Sequence, residues 1–201
     1  FFLYQLLGAD FSMTLVNIEV AAQFLIHIRI TLICALIVTF PVIIYQLWRF
    51  IAPALYENEK RTVKGAFAFA SVLFYVGVAV GYALVFPLML NFFSGYQVSP
   101  DIPNTFSLTS YISLFTSLVL TFGIVFEFPT VVAVLSSMGM LTKEGLSSYR
   151  KHAICVVLVL AAVITPSGDP FSLMVVSEPL YLLYEFSILI CRKRVQSVEE
   201  E

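Results

Sequence analysis

Long apolar runs alternate with short polar connections along most of the chain. The runs are apolar on all sides and not striped with a helical period, a pattern typical of helices that face lipid. Because backbone groups in lipid need internal hydrogen-bond partners, each run is predicted to be a helix. The five runs lie at about residues 21–47, 65–93, 111–140, 153–164 and 171–191. The sequence therefore predicts an all-α polytopic membrane protein, with five transmembrane helices in one membrane domain over residues 1–201.

The fourth run is the shortest and needs separate support. Crossing a hydrocarbon core of about 30 Å takes about 20 helical residues. Counting Tyr149 and His152 as interfacial residues lengthens the run, and local bilayer thinning covers the remainder. We therefore expect a span here, and not a re-entrant segment. Residues 1–7 are too few to span, and we expect them to be the tail of a helix that lies upstream.

The positive charges indicate one orientation. Apart from Arg29, every Lys and Arg lies in the connection after the first run, in the connection after the third, or in the tail. Under the positive-inside rule these three segments are cytoplasmic, which places the carboxyl terminus in the cytoplasm. The pattern requires all five runs to span.

Composition excludes several functional classes. Hydrophobic residues make up 60% of the 201 positions and charged residues 12%, which is unlike a soluble domain. The net charge of −2 and the lack of a basic, aromatic-rich patch argue against nucleic-acid binding. Three cysteines without CxxC spacing predict neither a metal site nor a disulfide framework. His27 and His152 lie near opposite membrane faces, no nucleophile–base pair is evident, and no motif implies a cofactor, so an enzyme is not expected.

The connection after the first run carries the most specific motif. Residues 45–61 read YQLWRFIAPALYENEKR, and this string resembles the YQ-W-FI-PALY--E-R hallmark of the TatC family of twin-arginine protein translocases. Further matches follow in family order: Phe86-Pro87, the FGIVFEFP string at 122–129, Arg150-Lys151, Thr165-Pro166 with Asp169, and Leu183-Tyr184-Glu185. The resemblance covers residues 15–194. It lacks the family's amino-terminal segment and first helix, so five of the family's six helices are expected here.

The resemblance implies a function and a set of partners. It implies a receptor subunit that binds twin-arginine signal peptides and helps to move folded proteins across a membrane with the proton-motive force. TatA-type and TatB-type single-helix subunits, further copies of the chain and the lipid bilayer are the implied partners, without nucleic acid. The implied location is the bacterial plasma membrane, with thylakoid and mitochondrial inner membranes as alternatives, and the implied helix arrangement is open and concave.

Glu127 is the most informative single residue. It lies about halfway along the third run, where a carboxylate costs on the order of 2.5–3.5 kcal/mol to insert, so it is expected to face protein or water. Pro129 has no N–H and leaves the carbonyl of Val125 without its usual partner, which adds a second polar group. We expect this pair to form an intramembrane partner site lining the concave face. The alternatives are a protonated Glu127 that serves packing alone and a relay in a proton or small-solute transporter.

Glu59 is the candidate for signal-peptide binding. Beside Lys60 and Arg61 it would ordinarily be a solvated charge, but the resemblance assigns signal binding to this loop. A carboxylate accepts two parallel hydrogen bonds from one guanidinium, which an ammonium cannot imitate. Phe50 and Trp48 are expected to add stacking or apolar contact.

Three further features concern packing. Either Ser167 or Asp169, both in the external turn, is a candidate cap for a helix beginning near Pro170. Glu178 and Glu185 stand seven residues apart on the last run, and both are expected to point into the bundle, although Glu178 also suits a snorkelling interfacial position. Gly77 and Gly81 form a GxxxG that fits internal packing at least as well as a dimer face.

Overall fold

The computed structural model describes residues 15–54, 57–96, 105–165 and 168–191, with the backbone alone for residues 54 and 57–63. The helices in this part of the chain are α1 (Ala22–Ile51), α2 (Glu57–Val80), α3 (Phe86–Gly95), α4 (Leu108–Val125), α5 (Phe128–Ser137), α6 (Lys143–Ser148), α7 (Arg150–Ile164) and α8 (Pro170–Ile190). A 3-10 turn at Ala52–Ala54 follows α1, and a π-helical turn at Gly81–Val85 joins α2 to α3. The all-α prediction is confirmed.

Four stretches within the described residues are long and apolar enough to cross a membrane: Ala22–Ile51, Lys64–Gly95, Leu108–Ser137 and Pro170–Ile190. Their ends agree with those of four predicted runs to within a few residues. The prediction of a polytopic membrane protein is therefore confirmed. The fourth run forms α7, which has 15 residues and is therefore about 22 Å long. Because this is shorter than the hydrocarbon core, the crossing of the membrane by α7 stays a prediction.

The sequence did not predict a short pair of parallel strands. Leu15–Val16 pairs with Phe106–Ser107, with Leu15 opposite Phe106. Leu15–Val16 precedes α1 by five residues and Phe106–Ser107 leads straight into α4, so the strand pair brings the starts of these two helices to the same side of the molecule. This agrees with α2 and α3 returning the chain across the membrane between them.

Three glycines bring α2 and the π-helical turn after it into close contact with α4. A Cβ placed on Gly77 would lie 2.5 Å from the Phe122 carbonyl oxygen, and one on Gly81 would lie 3.1 Å from the Phe122 Cβ. On the facing helix, a Cβ on Gly123 would lie 2.8 Å from the Phe74 ring. The Gly77–Gly81 GxxxG therefore serves packing within the chain, the first of the two interpretations given for it above.

The π-helical turn between α2 and α3 has a local cause. Pro87 follows the turn and has no N–H to continue the α-helical ladder. The Phe86 N–H instead bonds to the Gly81 carbonyl, five residues back. Val85, Phe86 and Met89 are then buried in the largest core cluster, which also includes residues of α4, α7 and α8.

Candidate functional site

The helix that carries Glu127 breaks at this residue. α4 ends at Val125, α5 begins at Phe128, and Phe126 and Glu127 form a turn between them. The Glu127 N–H bonds to the Ile124 carbonyl at 3.1 Å, three residues back, in place of the usual four. Pro129, buried in the first turn of α5, cannot donate to the Val125 carbonyl. The proline thus interrupts the backbone ladder where the sequence placed the polar site.

The break leaves polar side chains without partners. The Glu127 Oε1 and Thr130 Oγ1 atoms are both buried, and neither has a hydrogen-bond partner among the described residues. Thr130 stands three residues after Glu127 and therefore on the same face of the helix. Unpaired buried polar atoms carry a desolvation cost of about 1–3 kcal/mol each. This arrangement suits a site that is completed by a group from outside the described chain.

Thr130 was not among the predicted site residues. A hydroxyl one turn from an intramembrane carboxylate was the available signal, but threonine in a membrane helix commonly bonds to its own backbone. Thr116 does so in α4, where its hydroxyl donates to the Ile112 carbonyl at 2.7 Å. Local sequence does not distinguish these two uses of a threonine.

An apolar groove of about 300 Å³ lies beside the break. Val125 and Phe128, which flank the turn, contribute to its wall, whereas Glu127 is not among its lining residues. The concave arrangement with Glu127 lining the hollow therefore stays a prediction. The remaining lining residues come from α7, the residue before it, and α8: Tyr149, His152, Ala153, Val156, Val157, Leu160, Leu180, Leu183 and Tyr184.

The predicted signal-binding residues have different surroundings at the α1–α2 connection. Phe50, near the end of α1, is 80% exposed. Trp48 packs against Phe67 of α2, with ring centroids 5.7 Å apart, so part of its surface is used in the fold. Glu59 lies in the first turn of α2, and its side chain falls outside the described residues. Phe50 is thus the freely accessible aromatic group of the two.

The other two family-matched acidic residues have structural partners. Asp169 caps α8: its Oδ2 accepts from the Ser172 N–H at 2.8 Å, and its Oδ1 accepts from the Ser172 hydroxyl at 2.6 Å. Glu185 pairs with Arg150 at 2.9 Å and accepts a 2.9 Å hydrogen bond from the Tyr181 hydroxyl. Of the two residues predicted as candidates for the cap, Asp169 is the one that caps α8, and Ser167 lies outside the described residues.

Glu178 of α8 is exposed, which contradicts its predicted position inside the bundle and agrees with the alternative of a snorkelling interfacial residue. Arg150, at the start of α7, meets Glu185, whereas no described residue pairs with Glu178. Glu178 and Glu185 share a helix face but differ in burial, because α7 supplies a charged partner, Arg150, only next to Glu185.

The one basic residue outside the positive segments also has a partner. The Arg29 Nη1 donates to the Ser113 hydroxyl of α4 at 2.7 Å. This contact joins residues that are 84 positions apart, and no local sequence pattern predicts it. Among the described residues, no group of three or more His, Cys, Asp or Glu side chains is placed to hold a metal ion.

Comparison with known proteins identifies relatives in several bacteria. The family model for the Sec-independent protein translocase protein TatC matches residues 1–179. The TatC of Halothiobacillus neapolitanus is 36% identical over 179 residues, covering 89% of this chain and 48% of the relative. The TatC of Blattabacterium from Periplaneta americana is 38% identical over 174 residues, covering 87% and 65%. The Escherichia coli K12 protein is 37% identical over 184 residues, covering 89% and 69%.

Two solved structures are also similar. A crystal structure of the twin arginine translocase receptor TatC aligns with a TM-score of 0.79 at 36% identity, covering 94% of this chain and 85% of that one. The same receptor in the detergent DDM gives a TM-score of 0.82, with 94% and 84% covered. The chain spans about half the length of the first relative named above and about two thirds of the second. Its helices, its motifs and these matches together show that the chain belongs to the TatC family of Sec-independent protein translocase proteins.

Proposed function

We propose that this protein is the receptor subunit of a twin-arginine translocase, which binds twin-arginine signal peptides and helps to move folded proteins across the membrane. The observation that carries the proposal is the correspondence of 94% of the chain with a solved twin arginine translocase receptor. TatC is a protein translocase family and not a family of enzymes, in agreement with the function class predicted from the sequence.

The signal-peptide site in this proposal lies at the α1–α2 connection. Phe50 offers an exposed ring at the end of α1, and Glu59 stands in the first turn of the helix that follows. A guanidinium group can stack on a phenyl ring and donate two hydrogen bonds to a carboxylate. Trp48, which rests on Phe67, supports the position of the connection. This chemistry favours arginine over lysine.

The partner site in this proposal lies at the helix break. The buried Glu127 Oε1 and Thr130 Oγ1 lack hydrogen-bond partners, and Pro129 removes a backbone donor beside them. A membrane helix that presents one polar side chain would supply the missing hydrogen bonds. The single-helix TatA-type and TatB-type subunits are the partners assigned here, together with further copies of the chain in the assembly.

The proposed location is a bacterial plasma membrane, because the relatives named above are bacterial. The connection that contains Arg49 and Lys64 and the one that contains Lys143 and Arg150 then lie in the cytoplasm, as does the carboxyl terminus. The proton-motive force is the proposed energy source.

Export of a folded reporter tests this function. The full-length protein is expressed in bacteria that lack their own TatC-type protein, and a reporter with a twin-arginine signal is compared with one carrying twin lysine. We expect export of the twin-arginine reporter alone. Failure to export either reporter, with the protein present in the membrane at normal level, contradicts the proposal.

Substitutions of Glu127 distinguish the partner site from a packing role and from a proton relay. Glu127→Leu removes an unpaired buried oxygen, so we expect unchanged or higher thermal stability together with lost crosslinking to partner subunits. Glu127→Gln keeps a polar group and is expected to retain part of the crosslinking. A clear loss of stability in Glu127→Leu would instead indicate packing. Proton flux through vesicles containing this protein alone, abolished equally by Gln and Leu, would indicate a transporter.

A further inference from the structure

Pro41 lies inside α1 and divides it into two parts that pack differently. We call residues 22–39 the first part and residues 40–51 the second part. In the first part only Ala22, at the very start of the helix, is buried. The side chains that follow it, up to the proline, are half-buried or exposed. The first part of α1 is therefore loosely packed against the rest of the described chain.

The second part of α1 is fixed to α2 by aromatic packing. The Phe40 ring stacks on the Phe74 ring, with centroids 3.5 Å apart and planes 8° from parallel. Nearer the end of the helix, the Trp48 ring contacts the Phe67 ring at 5.7 Å. These contacts belong to one buried cluster shared by the two helices. The change from tight to loose packing thus occurs at the proline.

Pro41 also leaves a backbone carbonyl without its usual donor. Because proline has no N–H, the carbonyl of Ile37, four residues back, receives no hydrogen bond from within the helix. Ile37 lies near the middle of a 30-residue apolar helix, where a bilayer offers no water as a substitute. The nearby hydroxyl of Thr39 is already used, since it donates to the Ala35 carbonyl at 2.7 Å. A donor for the Ile37 carbonyl has to come from another helix.

The side chain of Tyr75 in α2 is that donor. Its hydroxyl donates to the Ile37 carbonyl at 3.2 Å, and the two residues are 38 positions apart in sequence. Tyr75 is 41% exposed, so in a membrane its ring faces hydrocarbon and its hydroxyl has no water partner. The bond therefore satisfies two polar groups at once, and it ties the last turn of the first part to α2.

We propose that α1 is jointed at Pro41 and that Tyr75 is the latch that holds its first part in place. Among the described residues, one other side-chain hydrogen bond joins the first part to a different helix, from Arg29 to Ser113 of α4. When the Tyr75 bond is lost, the first part swings about Pro41 while the second part stays stacked on α2. The α1–α2 connection then keeps its position. This inference does not depend on the proposed translocase function.

Distances between spin labels in the full-length protein test the joint. Leu32 of the first part, Leu47 of the second part and Val72 of α2 are 65%, 46% and 54% exposed, so each position has room for a label. Leu32 lies nine residues before Pro41, about 13 Å along the helix axis, so a swing of about 20° displaces it by about 5 Å. In Tyr75→Phe we expect the Leu32–Val72 distances to spread by about that amount and the Leu47–Val72 distances to stay unchanged. Unchanged Leu32–Val72 distances, or a spread in both pairs, overturn the proposal.

A second proline-free background separates a latch from general packing by the Tyr75 ring. Pro41→Ala restores the N–H, so the Ile37 carbonyl regains a donor within the helix and no longer needs the Tyr75 hydroxyl. Tyr75→Phe should lower the melting temperature in detergent by about 2–4 °C when Pro41 is present and leave it unchanged in Pro41→Ala. Tyr45→Phe, which alters an exposed tyrosine of α1, is the matched control and should have no effect. An equal loss from Tyr75→Phe in both backgrounds, or no loss in either, overturns the proposal.

Discussion

The backbone of Gly77 lies directly against the carbonyl oxygen of Phe122, at a distance that leaves no room for a side chain: a Cβ on Gly77 would approach that oxygen to 2.5 Å. The same Cβ would lie 2.7 Å from the Phe126 Cβ. Because Phe126 precedes Glu127, this contact fixes the end of α4 against α2 immediately before the helix break. The crossing of these two helices therefore positions the candidate partner site.

Gly77→Ala is expected to destabilise the protein. The new methyl group meets backbone at the crossing and forces the helices apart, at a cost of about 1–3 kcal/mol. Gly65→Ala is the matched control, because a Cβ at Gly65 meets nothing within 4 Å. Its effect should be neutral or stabilising by about 0.5–1 kcal/mol. The melting temperatures of both variants are measured in detergent, with size-exclusion elution as the readout of unfolding. Equal melting temperatures for the two variants would show that the helix crossing tolerates a methyl group.

Asp169→Ala is expected to weaken the start of α8. It removes the acceptor for the Ser172 N–H and hydroxyl, at a cost of about 1 kcal/mol. Asp169→Asn keeps an acceptor oxygen and should cost less. Glu178→Ala, which changes an exposed acidic residue of the same helix, is the control and should leave the melting temperature unchanged. A similar loss in all three variants would speak against the cap.

Alanine substitutions of Phe50 and Trp48 are expected to affect different properties, peptide affinity for Phe50 and thermal stability for Trp48. Phe50→Ala changes an exposed ring, so stability should move by no more than about 0.5 kcal/mol, while affinity for a twin-arginine peptide should fall by roughly 0.5–1 kcal/mol. Trp48→Ala removes the contact with Phe67 and should lower the melting temperature. Peptide titration and thermal unfolding of both variants decide this. Unchanged peptide affinity in Phe50→Ala would remove that ring from the site.

Sequence reasoning succeeded where the determining interactions are local. The apolar runs located the four long spans, the external turn before Pro170 supplied the candidates for the helix cap, and Pro129 marked the interrupted backbone beside Glu127. Each of these depends on residues within about one helical turn of one another.

The features that sequence did not reveal depend on distant residues. Two contacts join segments that have α2 and α3 between them in sequence. They are the Leu15–Phe106 strand pair and the Arg29–Ser113 hydrogen bond. The different environments of Glu178 and Glu185 depend on where α7 meets α8. Burial of Thr130 without a partner likewise follows from tertiary packing and not from its neighbours in sequence.

Binding of a signal peptide to the α1–α2 connection tests the central claim most directly. Titration of the purified full-length protein with labelled twin-arginine and twin-lysine peptides gives the affinity, and Glu59→Gln is compared with Glu59→Asp and with Glu57→Gln as a neighbouring control. We expect Glu59→Gln to weaken twin-arginine binding by about 10–100-fold, from the loss of charge-assisted hydrogen bonds of about 1.5–3 kcal/mol. Glu59→Asp should retain more of the affinity, Glu57→Gln should match the wild type, and the twin-lysine peptide should bind weakly throughout. Equal affinity of the wild type and Glu59→Gln for the twin-arginine peptide, or equal binding of the two peptides by the wild type, would contradict the account.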